Sequence, residues 1–209
     1  MPHNLIRAGV CAAALAMSLT AASSVQSAAP AARPPPTRDY KNAPAGKYTV
    51  DPTHTGIVAR VPHQGFSYSV FRFTVVTGTL EWNPAAPAST TLSVSVDPKS
   101  ITTPVPNFGA EIAGDRFLKS DKFAAATFVS KAFRPTDMNH GKVDGDFTMM
   151  GVTKPVTFDV EMVGTGVGFR GPVIGVAARG MIDPKDYGLT AIPAPIELLI
   201  DVEFDKTPG

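Results

Sequence analysis

The stretch Val143-Asp-Gly-Asp-Phe-Thr-Met-Met-Gly-Val-Thr-Lys-Pro-Val-Thr-Phe-Asp-Val-Glu-Met162 decides the fold class. Ahead of its turn, Val143, Gly145, Phe147 and Met149 alternate with Asp144, Asp146 and Thr148. Beyond it, Val156, Phe158, Val160 and Met162 alternate with Thr157, Asp159 and Glu161. Successive side chains on a strand point to opposite faces, so a period of two predicts strands with one apolar and one polar face. The connector Gly151-Val-Thr-Lys-Pro155 holds a glycine and a proline, which turn a chain and stop a ladder. The expected unit is two antiparallel strands sharing one buried face.

The same pattern recurs outward in both directions. Downstream, Ile174 to Ile182 alternates, and Ile196, Leu198, Ile200, Val202 and Phe204 oppose Glu197, Asp201 and Glu203. Upstream, Leu92, Val94 and Val96 oppose Ser93, Ser95 and Asp97. Strands are also expected at Ile57 to Val61, at Gly78 to Trp82 and at Thr127 to Phe133 with Phe128 inward. Phe66, Tyr68 and Val70 run out of phase with Phe71, Phe73 and Val75, which predicts a bend or bulge near Val70. Residues Asn107 to Phe123 lack alternation; Phe108, Ile112, Ala113 and Phe117 fall at helical spacing, interrupted by Gly109 and Gly114. That segment reads as a short helical or irregular flap. The domain is all-β with about eight strands. Pattern alone permits a sandwich, but the long, strictly amphipathic strands favour an extended antiparallel barrel.

The ends of the chain carry different signals. Arg7, the apolar run Ala8 to Leu19 and the small residues after it have the layout of a cleaved secretory signal peptide, residues 1–27, which implies a periplasmic location. The run is shorter than the about 20 residues of a membrane-spanning helix. Residues 28–46, opening with Ala28-Ala-Pro-Ala-Ala-Arg-Pro-Pro-Pro-Thr37, read as a stiff linker. Residues 47–206 form one domain. Cys11, the single cysteine, lies in the signal, so no disulfide is expected. Loss of Arg7 leaves 18 basic and 18 acidic residues, a balance that argues against a nucleic-acid partner.

The chemistry of the side chains points away from catalysis. No nucleophile elbow, phosphate loop or dinucleotide fingerprint occurs, so no catalytic residue is assigned. Asp144, Asp146, Asp159 and Glu161 are expected on a solvated outer face rather than in an acid–base pair. His54, His63 and His140 lack the tight spacing of a metal site, and no metal ligand is assigned. The inner-face candidates Phe71, Phe73, Phe128, Phe147, Met149, Phe158 and Met162 either pack together as a solid core or line a tunnel.

Several motifs, in order, resemble the YceI-like family. They are Tyr48-Thr-Val-Asp-Pro-Thr-His-Thr-Gly56, His63-x-Gly65, Gly78-Thr-Leu80 and Ser100-Ile-x-Thr103. Asp115-x-x-Leu-Lys-Ser120 with Phe123, then Gly145 to Val156, then Asp186-Tyr187-Gly188, complete the set. Phe117 and Lys122 depart from the family's usual His and Asp. The resemblance implies a lipocalin-like barrel and an exported binding protein, not an enzyme. It would hold a polyisoprenoid or an isoprenoid-tailed quinone as ligand, with no cofactor besides. The implied ligand-binding set adds Phe117, Phe123, Val160 and Tyr187 to the inner-face residues. His54, His63 and Arg116 are expected near a polar headgroup at the barrel mouth. Transient contact with a membrane or a membrane redox protein fits such a carrier, and a homodimer is left open. The competing classes are an enzyme acting on a lipophilic substrate and a ligand-free interaction domain.

Overall fold

The computed structural model describes residues 33–192 and 194–208. The signal-peptide reading of residues 1–27 lies outside them. Eleven strands follow in order: β1 (Gly46–Val50), β2 (Gly56–His63), β3 (Ser67–Phe73), β4 (Val76–Trp82), β5 (Thr91–Val96) and β6 (Ile101–Thr102). A helix, α1 (Phe108–Ala113), precedes β7 (Ala126–Pro135), β8 (His140–Met149), β9 (Val152–Val167), β10 (Pro172–Ile182) and β11 (Ile196–Lys206).

Eight of these strands close a ring of antiparallel pairs, β1-β4-β5-β7-β8-β9-β10-β11 and back to β1. Closure comes from β11, whose last residues pair with β1 (Phe204 with Val50) while its first half pairs with β2 (Leu198 with Ala59). Thus β2, β3 and β6 extend the wall at one end only. There, β3 pairs with β6, and α1 with residues 114–125 fills the space between β6 and β7. We term this the flap end. The opposite end holds Trp82, His140 and a strap, residues 37–45, laid over them.

The stretch Val143 to Met162 forms the β8–β9 hairpin in the expected register, with Val143 opposite Phe158. Its turn is tighter than the sequence suggested. Met150 (φ 50°) and Gly151 (φ 75°) alone connect Met149 to Val152. Two positive-φ residues match the right-handed twist of the strands, as in a type I′ turn. Pro155 therefore lies within β9 rather than ending a loop. It is tolerated because β10 pairs β9 no further than Asp159, leaving that flank without a neighbour.

Two expectations are corrected. No bulge occurs near Val70: β2 and β3 pair without interruption from Ile57–Phe73 to His63–Ser67. Phe66 is the tip of the hairpin, and Tyr68 and Val70 lie on the outer face. The register shifts fall instead at Lys131, between Ser130 and Ala132, and at Val163 opposite Gly175–Val176. Nor is the segment before β1 all linker. Thr37 bridges to Thr165 through backbone hydrogen bonds of 2.9 and 2.7 Å, Arg38 pairs with Glu161, and Ala43 is buried.

The outer face carries the acids. Arg134 grips Asp144 at 2.7 Å, Lys131 reaches Asp146 at 2.6 Å, and Lys142 pairs with Asp159. The Arg134 and Thr157 side chains hold the Asp144 carboxyl down at about 2. These are cross-strand surface pairs, with no acid facing a second acid at a reacting centre.

Candidate functional site

The inner faces of the strands do not meet. They enclose a lumen of about 630 Å³ running along the barrel. Small-molecule pockets span about 300–1,000 Å³, so this is ligand-sized space rather than a packing defect. Two glycines make room for its wall. A Cβ on Gly145 would come within 2.4 Å of the Phe128 ring, and one on Gly180 within 2.6 Å of the Phe158 ring. Those rings meet edge to face at 5.1 Å.

Among the described residues, the lining contains no Lys, Arg, Asp or Glu. Its side chains are aliphatic, aromatic or thioether, interrupted by a few hydroxyls and by Asn139, His63 and His140. Two of the hydroxyls are engaged with backbone: Ser130 accepts from the Leu92 N–H at 2.7 Å, and Thr55 donates to the Asp51 carbonyl at 2.7 Å. A charged guest would find no counter-charge here, and burying an unpaired ion is prohibitive. The lumen is built for a neutral, apolar guest.

Eleven of the sequence-derived candidates sit on this lining. Phe71 and Phe73 come from β3, Phe128 from β7, Phe147 and Met149 from β8, and Phe158, Val160 and Met162 from β9. Phe117 and Phe123 come from the flap, and His63 from the β2–β3 turn. Three candidates do not reach it. Tyr187 is buried behind the wall, its ring edge-on to Phe147 at 5.5 Å; burial, then the nearby Asp186 charge, pushes its hydroxyl up to about 12. Arg116 is exposed, 3.4 Å from Glu111 and stacked on Phe117. His54 is exposed on the outer wall, 3.0 Å from Asp51.

The Asp51 cluster is a structural lock. Its carboxylate accepts from the Thr53 hydroxyl at 2.6 Å, the Thr53 N–H at 2.8 Å and Arg170 at 2.9 Å, and contacts His54. The Thr53 and His54 side chains first, then Arg170, hold the acid well below the usual carboxylate range. The hydrogen bond to Asp51 and the Glu203 charge raise His54. Asp51, His54 and Glu203 offer atoms within 4.8 Å of one another, yet the Asp51 oxygens are already committed to these donors. His63 and His140 lie at opposite ends of the barrel, so the three histidines do not converge.

Sequence reasoning missed the strap end. Tyr40, Trp82 and Phe133 cap the lumen there, with centroids 5.5 to 6.4 Å apart and rings steeply inclined. At the flap end the lumen reaches the surface, where the lining residues His63, Val105, Ala125 and Ala191 are also solvent-exposed.

The ring and its interior define a small closed β-barrel with an uncharged lumen. The chain belongs to the YceI-like family, whose domain matches residues 48–205. A UPF0312 protein of Pseudomonas fluorescens (strain SBW25) is 32% identical over 163 residues, covering 77% of this chain and 84% of its own. One from Shewanella sp. (strain W3-18-1) is 30% identical over 168 residues, covering 78% and 86%. Among solved structures, the Campylobacter jejuni YCEI protein superposes with a TM-score of 0.61 at 26% identity, covering 71% of this chain and 91% of that one. Burkholderia cenocepacia BcnA gives 0.65 at 18% identity, covering 74% and 98%. A polyisoprenoid binding domain from Saccharophagus degradans gives 0.53 at 13% identity, covering 77% and 98%. The last two likenesses are of fold alone.

Proposed function

We propose that this protein is an exported, non-catalytic carrier that holds a neutral isoprenoid lipid, or an isoprenoid-tailed quinone, inside its barrel. The observation that carries the reading is the 630 Å³ lumen with no charged side chain on its lining. An isoprenoid tail offers only methyl and vinyl groups, and its binding rests on apolar area removed from water, about 25 cal/mol per Å². The Saccharophagus degradans neighbour, described as polyisoprenoid-binding, points to the same ligand class. Export rests on the signal-peptide layout of residues 1–27. The bound lipid is the only non-protein component this reading requires.

Such a guest does not cross water freely, so a carrier exchanges it at a bilayer. The β2–β3 hairpin fits that task. Its tip, Phe66, is 87% exposed beside the lumen opening at His63, with Tyr68 on the outer face and Arg60 stacked on the Tyr68 ring at 4.2 Å. The decisive experiment is native mass spectrometry of the mature protein, followed by organic extraction. A retained mass that extracts as an isoprenoid is the expected result. A ligand-free mass that persists after incubation with quinones and polyprenols would sink the carrier reading and favour a protein-interaction domain.

A further inference from the structure

Resting on the carrier reading, we infer that the strap end is a headgroup subsite for a neutral, oxygen-bearing ring of the quinone or phenol class. In this subsite Tyr40, Trp82 and Phe133 enclose the ring, and the Trp82 Nε1–H and Thr90 hydroxyl bind its oxygen.

Register places the two polar groups together. Leu80 pairs with Leu92 and Glu81 with Thr91 across β4 and β5, and Trp82 and Thr90 are the next residues beyond that last pair, on the same parity as Leu80 and Leu92. Both line the lumen, and they are only 6% and 7% exposed. Neither the indole N–H nor the Thr90 hydroxyl has a hydrogen-bond partner among the described residues. Buried polar groups are almost always paired, and two orphans on adjacent inward positions call for a shared partner. A ring oxygen supplies one, accepting from the indole and the hydroxyl together.

The surroundings select the ring. The Tyr40 and Trp82 planes meet at 89° and those of Trp82 and Phe133 at 64°, a box of aromatic walls rather than a stack. Tyr40 belongs to the strap, not to a strand. It precedes the family match, which begins at residue 48. The flap end offers the opposite environment. Arg116 is turned away from the lumen there, leaving Phe71, Phe117, Phe123 and Ile192 to receive a tail. The uncharged lining disfavours a phosphate or pyrophosphate headgroup inside the strap end of the lumen. The guest therefore lies ring toward the strap, tail toward the flap.

Trp82 is the sole tryptophan of the chain and so reports directly on its own subsite. The probes are ubiquinone-2, which carries an oxidised ring and a short isoprenoid tail, and squalene, which has the tail chemistry and no ring. Ubiquinone-2 is expected to quench Trp82 emission on binding; squalene is expected to compete with it without quenching. By calorimetry, Thr90→Val, which keeps shape and removes one donor, should weaken ubiquinone-2 by about three- to tenfold and leave squalene unchanged. Its unliganded melting temperature should not fall, since the change removes an unpaired polar group. Ubiquinone-2 bound with Trp82 unquenched would place the ring elsewhere and overturn the inference. So would equal weakening of both probes, which would reduce the pair to packing. Wild type that binds neither probe would refute the carrier reading itself, a result distinct from both.

Discussion

Phe158 and Asp159 are adjacent in sequence and stand on opposite sides of the wall. Phe158 lines the lumen against Phe128; Asp159 faces solvent and pairs with Lys142. Phe158→Asp is expected to abolish lipid retention and to destabilise the fold by at least the about 3–5 kcal/mol of a core Phe truncation. Asp159→Asn should change stability by less than about 0.5 kcal/mol and leave retention intact, because exposed pairs contribute little. Urea denaturation and lipid extraction on both variants check this; retention by the first or loss from the second would mean the faces are reversed. Gly180 makes a related point. Its missing side chain is the space that the Phe158 ring occupies, so Gly180→Val should cost about 1–3 kcal/mol through overpacking, read as a lower urea midpoint at unchanged slope.

Strands and hairpins were legible wherever the ladder is regular. The period of two placed Phe147, Met149, Phe158, Val160 and Met162 correctly because β8 and β9 pair without a shift over Met149 to His140. It failed where a bulge changes parity. Counting by twos from Phe128 sends Phe133 outward, but the extra residue Lys131 returns it to the lumen. Trp82 shares its parity with Leu80 and could have been assigned inward from the sequence. Tyr40 could not: its place depends on the strap docking across β9, a contact between residues far apart in the chain. His54 and Arg116 were misplaced for a similar reason, since polar residues in loops point wherever their ion partners lie. The β2–β3 hairpin yields the element-scale test. Phe66→Asp should slow lipid transfer between the protein and vesicles several-fold, while the amount bound at equilibrium stays the same. Unchanged transfer rates would remove the hairpin from membrane exchange.

The molecule as a whole responds to acid through Asp51. Its folded pKa lies below the ordinary aspartate value of about 3.9, so its stabilisation is complete above that value and is lost as pH falls through the folded one. His54, whose pKa is raised, behaves oppositely: its contribution is present below about 6.5 and fades as pH rises through its folded value. Thermal unfolding of wild type and Asp51→Asn should therefore differ most in the pH range between those two groups, and the gap should shrink progressively as pH falls below the ordinary aspartate value toward the folded one. A gap that persists undiminished into strong acid would show that the lock works without its charge.

The ring is fastened by its first and last strands, with Val50 against Phe204 and Tyr48 against Lys206. A ribosome makes those partners at opposite ends of its work. Until residues 196–206 have emerged, β1 and β2 lack the strand that joins them to β10, and no stable enclosure can form. The chain is thus kept open throughout its synthesis by its own topology. Under the exported-carrier proposal, a chain that threads a translocation pore before folding gains time from that delay.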